Sequence, residues 1–219
     1  MTEAEWLACA DPTPMLEFLR GKASSRKLRL LCVTCCHLIW PRLLDKRSRK
    51  AVAAAEQYAD GLVAEQGLKA AWDAARQAAR KSRPSRRRAK YRQVSTPEWD
   101  AVSAATADDS LVEYFAPEAV QAVLEAGDPE EPPPPLCPFI RDIFGNPLRP
   151  VAADPRWLTS TAVALAQTIY GDRAFDRLPI LADALEDAGC DDYDVLGHLR
   201  GEGPHVRGCW ALDLVLGKG

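Results

Sequence analysis

Strand-forming patterns are nearly missing from this 219-residue chain, and histidine is scarce, with three copies. No stretch of five to eight residues alternates cleanly with β-branched enrichment, which argues against a sheet-based fold. No run of 18 apolar residues occurs, so no transmembrane helix is expected. G-x-S-x-G, a Walker A loop, a G-x-G-x-x-G following a strand and H-E-x-x-H are all absent. That sets aside the common hydrolase, nucleotide-binding and zinc-protease signatures. The acidic stretch DALEDAGCDDYD lacks the spacing of a calcium loop, which needs glycine at its sixth position. No internal repeat is visible. The first residues, MTEAEWLACADPTPM, carry Glu3 and Glu5 where a signal peptide has positive charge, and they lack a long apolar segment. A cytoplasmic protein is the expectation. The cysteines number seven, an odd count, and three crowd into CVTCC, which suits reduced thiols better than a disulfide framework.

What is present reads as helix. The hydrophobic fraction of 47% is enough for a core, and Ala, Leu, Glu, Arg and Lys abound. DPTPMLEFLRGK predicts a short helix opened by Asp11 and closed at Gly21. SSRKLRLLCVTCCHLIW follows, capped by Ser24 or Ser25 and stopped by Pro41. Within it Leu28, Leu31, Cys32, Cys35 and Ile39 fall on one face, with Arg26, Arg29 and His37 on the other side. KRSRKAVAAAEQYADG and QGLKAAWDAARQAARKSR predict an antiparallel pair joined near Gly61. Val52, Ala55, Ala59, Leu68, Trp72 and Ala75 would form their contact. TPEWDAVSAAT opens another helix at Thr96 and Pro97, and SLVEYFAPEAVQAVLEAG supplies one or two more. DPEEPPPPLCP is a stiff, extended spacer. Beyond it come CPFIRDIFGNPLRP, DPRWLTSTAVALAQTIYGD, AFDRLPILADALEDAG and a final stretch, CDDYDVLGHLRGEGPHVRGCWALD. The expected fold is all-α, with about eight to ten helices in a helical-bundle arrangement. A basic N-terminal helical region covers residues 1–127, a linker residues 128–135, and an acidic C-terminal helical region residues 136–219.

Charge is unevenly spread. Residues 1–100 hold 20 Lys and Arg against 11 Asp and Glu; residues 101–219 hold 8 against 20. Either the halves attract one another or the basic half faces an external polyanion. From Arg76 to Arg92, nine of 17 residues are basic. Arg80, Lys81, Arg83, Arg86, Arg87, Arg88, Lys90 and Arg92 are the candidates for phosphate contact. No groove-reading signature accompanies them, so a solvated or internally paired loop is the simpler reading.

Two clusters could ligate metal. His205 and Cys209, four apart, would share one face of a helix opened by Gly203 and Pro204, half of a zinc site. Cys190 and His198 are about 12 Å apart by helical rise, too far to share one ion unless the helix breaks near Gly197. The alternative is a helix, a turn and a buried terminal helix with Val206, Cys209, Trp210, Leu214 and Val215 inward. Cys32, Cys35 and Cys36 include a Cys-x-x-Cys pair, but it lies mid-helix on the apolar face, where cysteine acts as a small hydrophobe. A site joining these cysteines with His205 and Cys209 is the remaining possibility.

The stretches MTEAEWLACADPTPMLEFLRGKASSRKLRLLCVTCCHLIW and WLTSTAVALAQTIYGDRAFDRLPILADALEDAGCDDYDVLGHLRGEGPHVRGCWALDLVLGKG resemble a family of bacterial proteins that occurs as many paralogues in large genomes. The likeness covers roughly half the chain, at both ends. Members tend to carry Cys-Cys-Arg-Arg where this chain has Cys35, Cys36, His37 and Leu38, and a cysteine where it has Leu199. A ligand set using that last position would be incomplete here. The resemblance implies the fold and no activity. The expected function is therefore a non-enzymatic protein-interaction or adaptor module with an unidentified protein partner, no membrane and no obligatory cofactor. Nucleic-acid or other polyanion binding through residues 76–92 is the alternative, and a zinc-stabilised structural module the second.

Overall fold

A computed structural model describes residues 1–82, 97–126 and 134–219. Among these residues the protein is all-α, with no strand. Twelve α-helices are present among them, more than the eight to ten expected. The chain forms two compact units: Met1–Gly21 with Pro135–Gly219, and Lys22–Pro134. The first 21 residues, grouped by composition with the basic half, thus pack with the C-terminal region.

The first unit opens with α1 (Glu3–Ala8) and α2 (Pro12–Leu19). A six-residue helix has no apolar period to read, and α1 buries only Trp6. Its local signal is a capping box: the Thr2 hydroxyl accepts from the Glu5 N–H while the Glu5 carboxylate accepts from the Thr2 N–H. Asp11 caps α2 by accepting the Thr13 N–H, with Pro12 and Pro14 in the first turn.

The second unit contains α3 (Ser25–Leu38), α4 (Lys46–Ala59), α5 (Glu65–Ser82), α6 (Pro97–Ala105) and α7 (Val112–Ala126). Helix α3 runs through its middle, packed against α4, α6 and α7. Burial from Leu28 to Cys36 is therefore continuous rather than confined to one face. Arg29, placed by periodicity away from the apolar stripe, is fully buried as well. Its guanidinium donates to the Ala105 carbonyl (2.7 Å) and to Asp109 (2.8 Å), and lies over the Tyr58 ring. Helices α4 and α5 pack against each other; of the six residues expected at their contact, Val52, Ala55, Leu68 and Ala75 are buried, and Ala59 and Trp72 are half-buried.

The C-terminal part of the first unit holds α8 (Leu136–Phe144), α9 (Ser160–Asp172), α10 (Leu178–Asp187), α11 (Tyr193–Arg200) and α12 (Trp210–Leu216). Ala162, Ala166 and Ile169 of α9 meet Leu181 and Leu185 of α10, Val195 and Leu199 of α11, and Leu212 and Val215 of α12 in one core. Pro179 stands in the first turn of α10, where its missing N–H costs nothing. The predicted terminal helix is shorter than its sequence suggests. Residues 201–209 form no helix, and α12 begins at Trp210.

Candidate metal centre

That irregular segment, together with α8 and α11, brings four potential ligands to one point. Asp142 lies in the last turns of α8, beside the buried Ile140 and Ile143. His198 sits in the last turn of α11. His205 comes from the loop, and Cys209 is the N-cap of α12, where its side chain makes no capping bond. The loop can place His205 there because position 203 is glycine. Its φ is +94°, and a β-carbon would fall 2.9 Å from the His205 nitrogen and 3.1 Å from its ring.

One donor atom from each of Asp142, His198, His205 and Cys209 lies within 4.8 Å of all the others. Asp142 Oδ1 is 3.0 Å from His198 Nε2 and 2.9 Å from His205 Nδ1. Cys209 Sγ is 3.2 Å from His198 Nε2. The His198 and His205 rings meet edge to face at 5.0 Å. Asp142 and Cys209 are buried, and the side chains of His205 and His198 are 7% and 21% exposed. Zinc bonds of ~2.0–2.3 Å to N, O and S place tetrahedral ligand atoms ~3.3–3.8 Å apart, so an ion would open the 2.9–3.2 Å pairs by a few tenths of an ångström and draw in pairs near the 4.8 Å limit by about 1 Å.

Outer contacts orient two of these ligands. Asp142 Oδ2 accepts the Val206 N–H at 2.9 Å, leaving Oδ1 for the cluster. His205 Nε2 lies 3.1 Å from the Gly201 carbonyl oxygen. A carbonyl only accepts, so Nε2 carries the proton, and in a neutral ring Nδ1 is then a lone pair aimed at a carboxylate. Two lone pairs at 2.9 Å repel. A proton, on His205 or on the carboxyl, or a cation therefore lies between the groups.

Electrostatics follow the same geometry. Burial raises the Asp142 carboxyl, but hydrogen bonds to His198 and His205 outweigh it and hold the group below the usual carboxylate range. Burial lowers His205, and the Asp142 carboxylate more than reverses that. Burial, reinforced by the Asp142 charge, pushes the Cys209 thiol well above its ordinary value. The cluster does not form a nucleophile–base–carboxylate relay. Such a relay uses opposite ring nitrogens, whereas Cys209 and Asp142 both face Nε2 of His198.

Of the residues singled out by sequence, His205 and Cys209 meet here, brought together by the loop rather than by helical spacing. Cys32, Cys35 and Cys36 are buried in α3 of the other unit and are not among these four ligands. Burial pushes the Cys32 thiol up to about 12, and those of Cys35 and Cys36 well above the ordinary value. Cys190 belongs to the first unit's core. Arg80 is exposed on α5; Lys81 lies in α5, its side chain outside the described residues. Arg83, Arg86, Arg87, Arg88, Lys90 and Arg92 lie outside the described residues altogether. In the sequence His198 pairs by spacing only with Cys190, too far away to share an ion, and Asp142 carries no metal-ligand spacing. The available signal was an aspartate flanked by apolar residues in CPFIRDIFG.

Comparisons with protein-family models, with curated proteins and with solved structures find no match.

Proposed function

We propose that this chain is a zinc-binding helical module in which the ion has a structural role, cross-linking α8, α11 and the 201–209 segment. The observation that carries the reading is the convergence of one donor atom from each of Asp142, His198, His205 and Cys209 to within 4.8 Å of one another. An ion held by Asp142 Oδ1, His198 Nε2, His205 Nδ1 and Cys209 Sγ satisfies every one of those groups at once. Two imidazoles, a thiolate and a carboxylate suit zinc and exclude magnesium or calcium, which take oxygen ligands. With the thiol deprotonated, two negative ligands neutralise the dication, so no net charge is buried. Four protein ligands leave no open position, the pattern of structural rather than catalytic zinc.

Native mass spectrometry of the zinc-supplemented protein is the direct test. One ion adds ~65 Da, lost on acid unfolding, as expected for a Cys/His-bound zinc. Asp142→Asn, His198→Ala and Cys209→Ser should each abolish that increment. A chelator should lower the melting temperature of the parent protein, since zinc bound only by the native state stabilises it. A bare mass in excess zinc would refute the assignment.

A further inference from the structure

The end of α8 that carries Asp142 also holds the N-terminal helices. Arg141, its neighbour, donates through Nη1 to the main-chain carbonyls of Trp6 (3.3 Å) and Cys9 (3.0 Å), at the C-terminal end of α1. The Trp6 carbonyl also accepts the Cys9 N–H at 3.4 Å, so Arg141 adds a second donor at this helix end. Gly145, which ends α8, accepts the indole N–H of Trp6 at 2.9 Å, and Trp6 is fully buried. Asn146 donates to the Glu3 carboxylate at 2.6 Å, and α2 packs against α8.

Gly145 is also covered by the Trp210 ring. A β-carbon at this position would lie 3.0 Å from the Trp210 ring. Trp210 follows Cys209 directly, and its ring is 5.2 Å from that of His198. The backbone at Gly145 therefore has Trp210 on it and Trp6 hydrogen-bonded to it. Helices of six and eight residues are too short to hold themselves in water, so the order of α1 and α2 comes from this docking.

We propose that metal binding at Asp142, His198, His205 and Cys209 controls the docking of α1 and α2 on α8. The inference rests on the zinc reading above. Bonds to Asp142 and Cys209 restrain α8 and Trp210 together, fixing the surface that receives Trp6. Coupling of this kind is reciprocal, so loosening α1 weakens the ion's hold by the same factor.

Amide hydrogen exchange on the full chain, metal-free and with one equivalent of zinc, tests this, with native mass spectra recorded in parallel. Zinc should slow exchange across residues 3–19 as well as 136–146 and 198–212, by at least about 5-fold, the low end of usual couplings. Arg141→Gln and Trp6→Phe leave all four ligands in place, yet each should weaken zinc binding by a comparable factor. Zinc uptake with slowing confined to residues 136–146 and 198–212, and unchanged affinity in both variants, would overturn the coupling while leaving the metal site standing. No zinc in the mass spectrum would remove both.

Discussion

Asp142 keeps its charge at 2% exposure because every direction from its carboxylate is occupied: a backbone N–H on one oxygen, two imidazole nitrogens on the other. Removing one partner of a buried charge pair leaves the other uncompensated. Asp142→Ala should therefore destabilise the metal-free protein by ~3–5 kcal/mol in urea unfolding. A loss below ~1 kcal/mol, the usual scale of an exposed pair, would mean the cluster is open to water. Arg29 presents the opposite case, a buried cation whose acid is half exposed, with Asp109 at 53%. Its value lies in filling space between α3 and α6 and in satisfying the buried Ala105 carbonyl. Arg29→Ala should cost ~3 kcal/mol, the scale of a core truncation with an orphaned acceptor. Arg29→Met, restoring volume but not the donor, should recover part of that in the same measurement.

At the scale of the element, the irregular segment 201–209 does the work that helical spacing was expected to do. Four-residue spacing on a continuous helix would put His205 and Cys209 on a common face, but the surviving helix starts only at Trp210. The ligands converge because Gly203 and Gly208 take positive φ and the chain folds back on itself. Gly203→Ala would push the His205 backbone and ring from their place. It should weaken zinc binding about 10- to 100-fold, as the loss of ligand orientation does, in a competition titration against a chromogenic chelator. This is also where sequence reading stops. The cap at Asp11, the cap at Ser24 or Ser25 and the all-helical class were legible, because each depends on neighbours within a few residues. His205 and Cys209 were legible as half a site from residue type alone. Asp142 was not, because it is 56 residues from His198 and nothing local distinguishes a buried aspartate from a solvated one. Burial of Arg29 was hidden for a related reason: periodicity marks a helix with one covered face, and α3 is packed on several.

For the molecule as a whole, all four proposed ligands belong to the unit formed by Met1–Gly21 and Pro135–Gly219, while α3 to α7 have a core of their own. Zinc that binds one folded unit stabilises that unit by linkage. The cysteines divide in a way that lets each unit be followed separately. Cys32, Cys35 and Cys36 are buried in the second unit; Cys137, Cys190 and Cys209 are buried in the first, and Cys9 is part-exposed. Thiolate is the reactive species, so burial and the raised thiol values keep the six buried cysteines inert until their own unit opens. Brief alkylation at rising temperature, read by peptide mass spectrometry, should label Cys9 first. A chelator should then shift labelling of Cys137, Cys190 and Cys209 to lower temperature and leave Cys32, Cys35 and Cys36 where they were. Equal shifts of both sets would show the two units unfolding as one cooperative body, because a local metal bond would then be felt in a core that supplies none of its ligands.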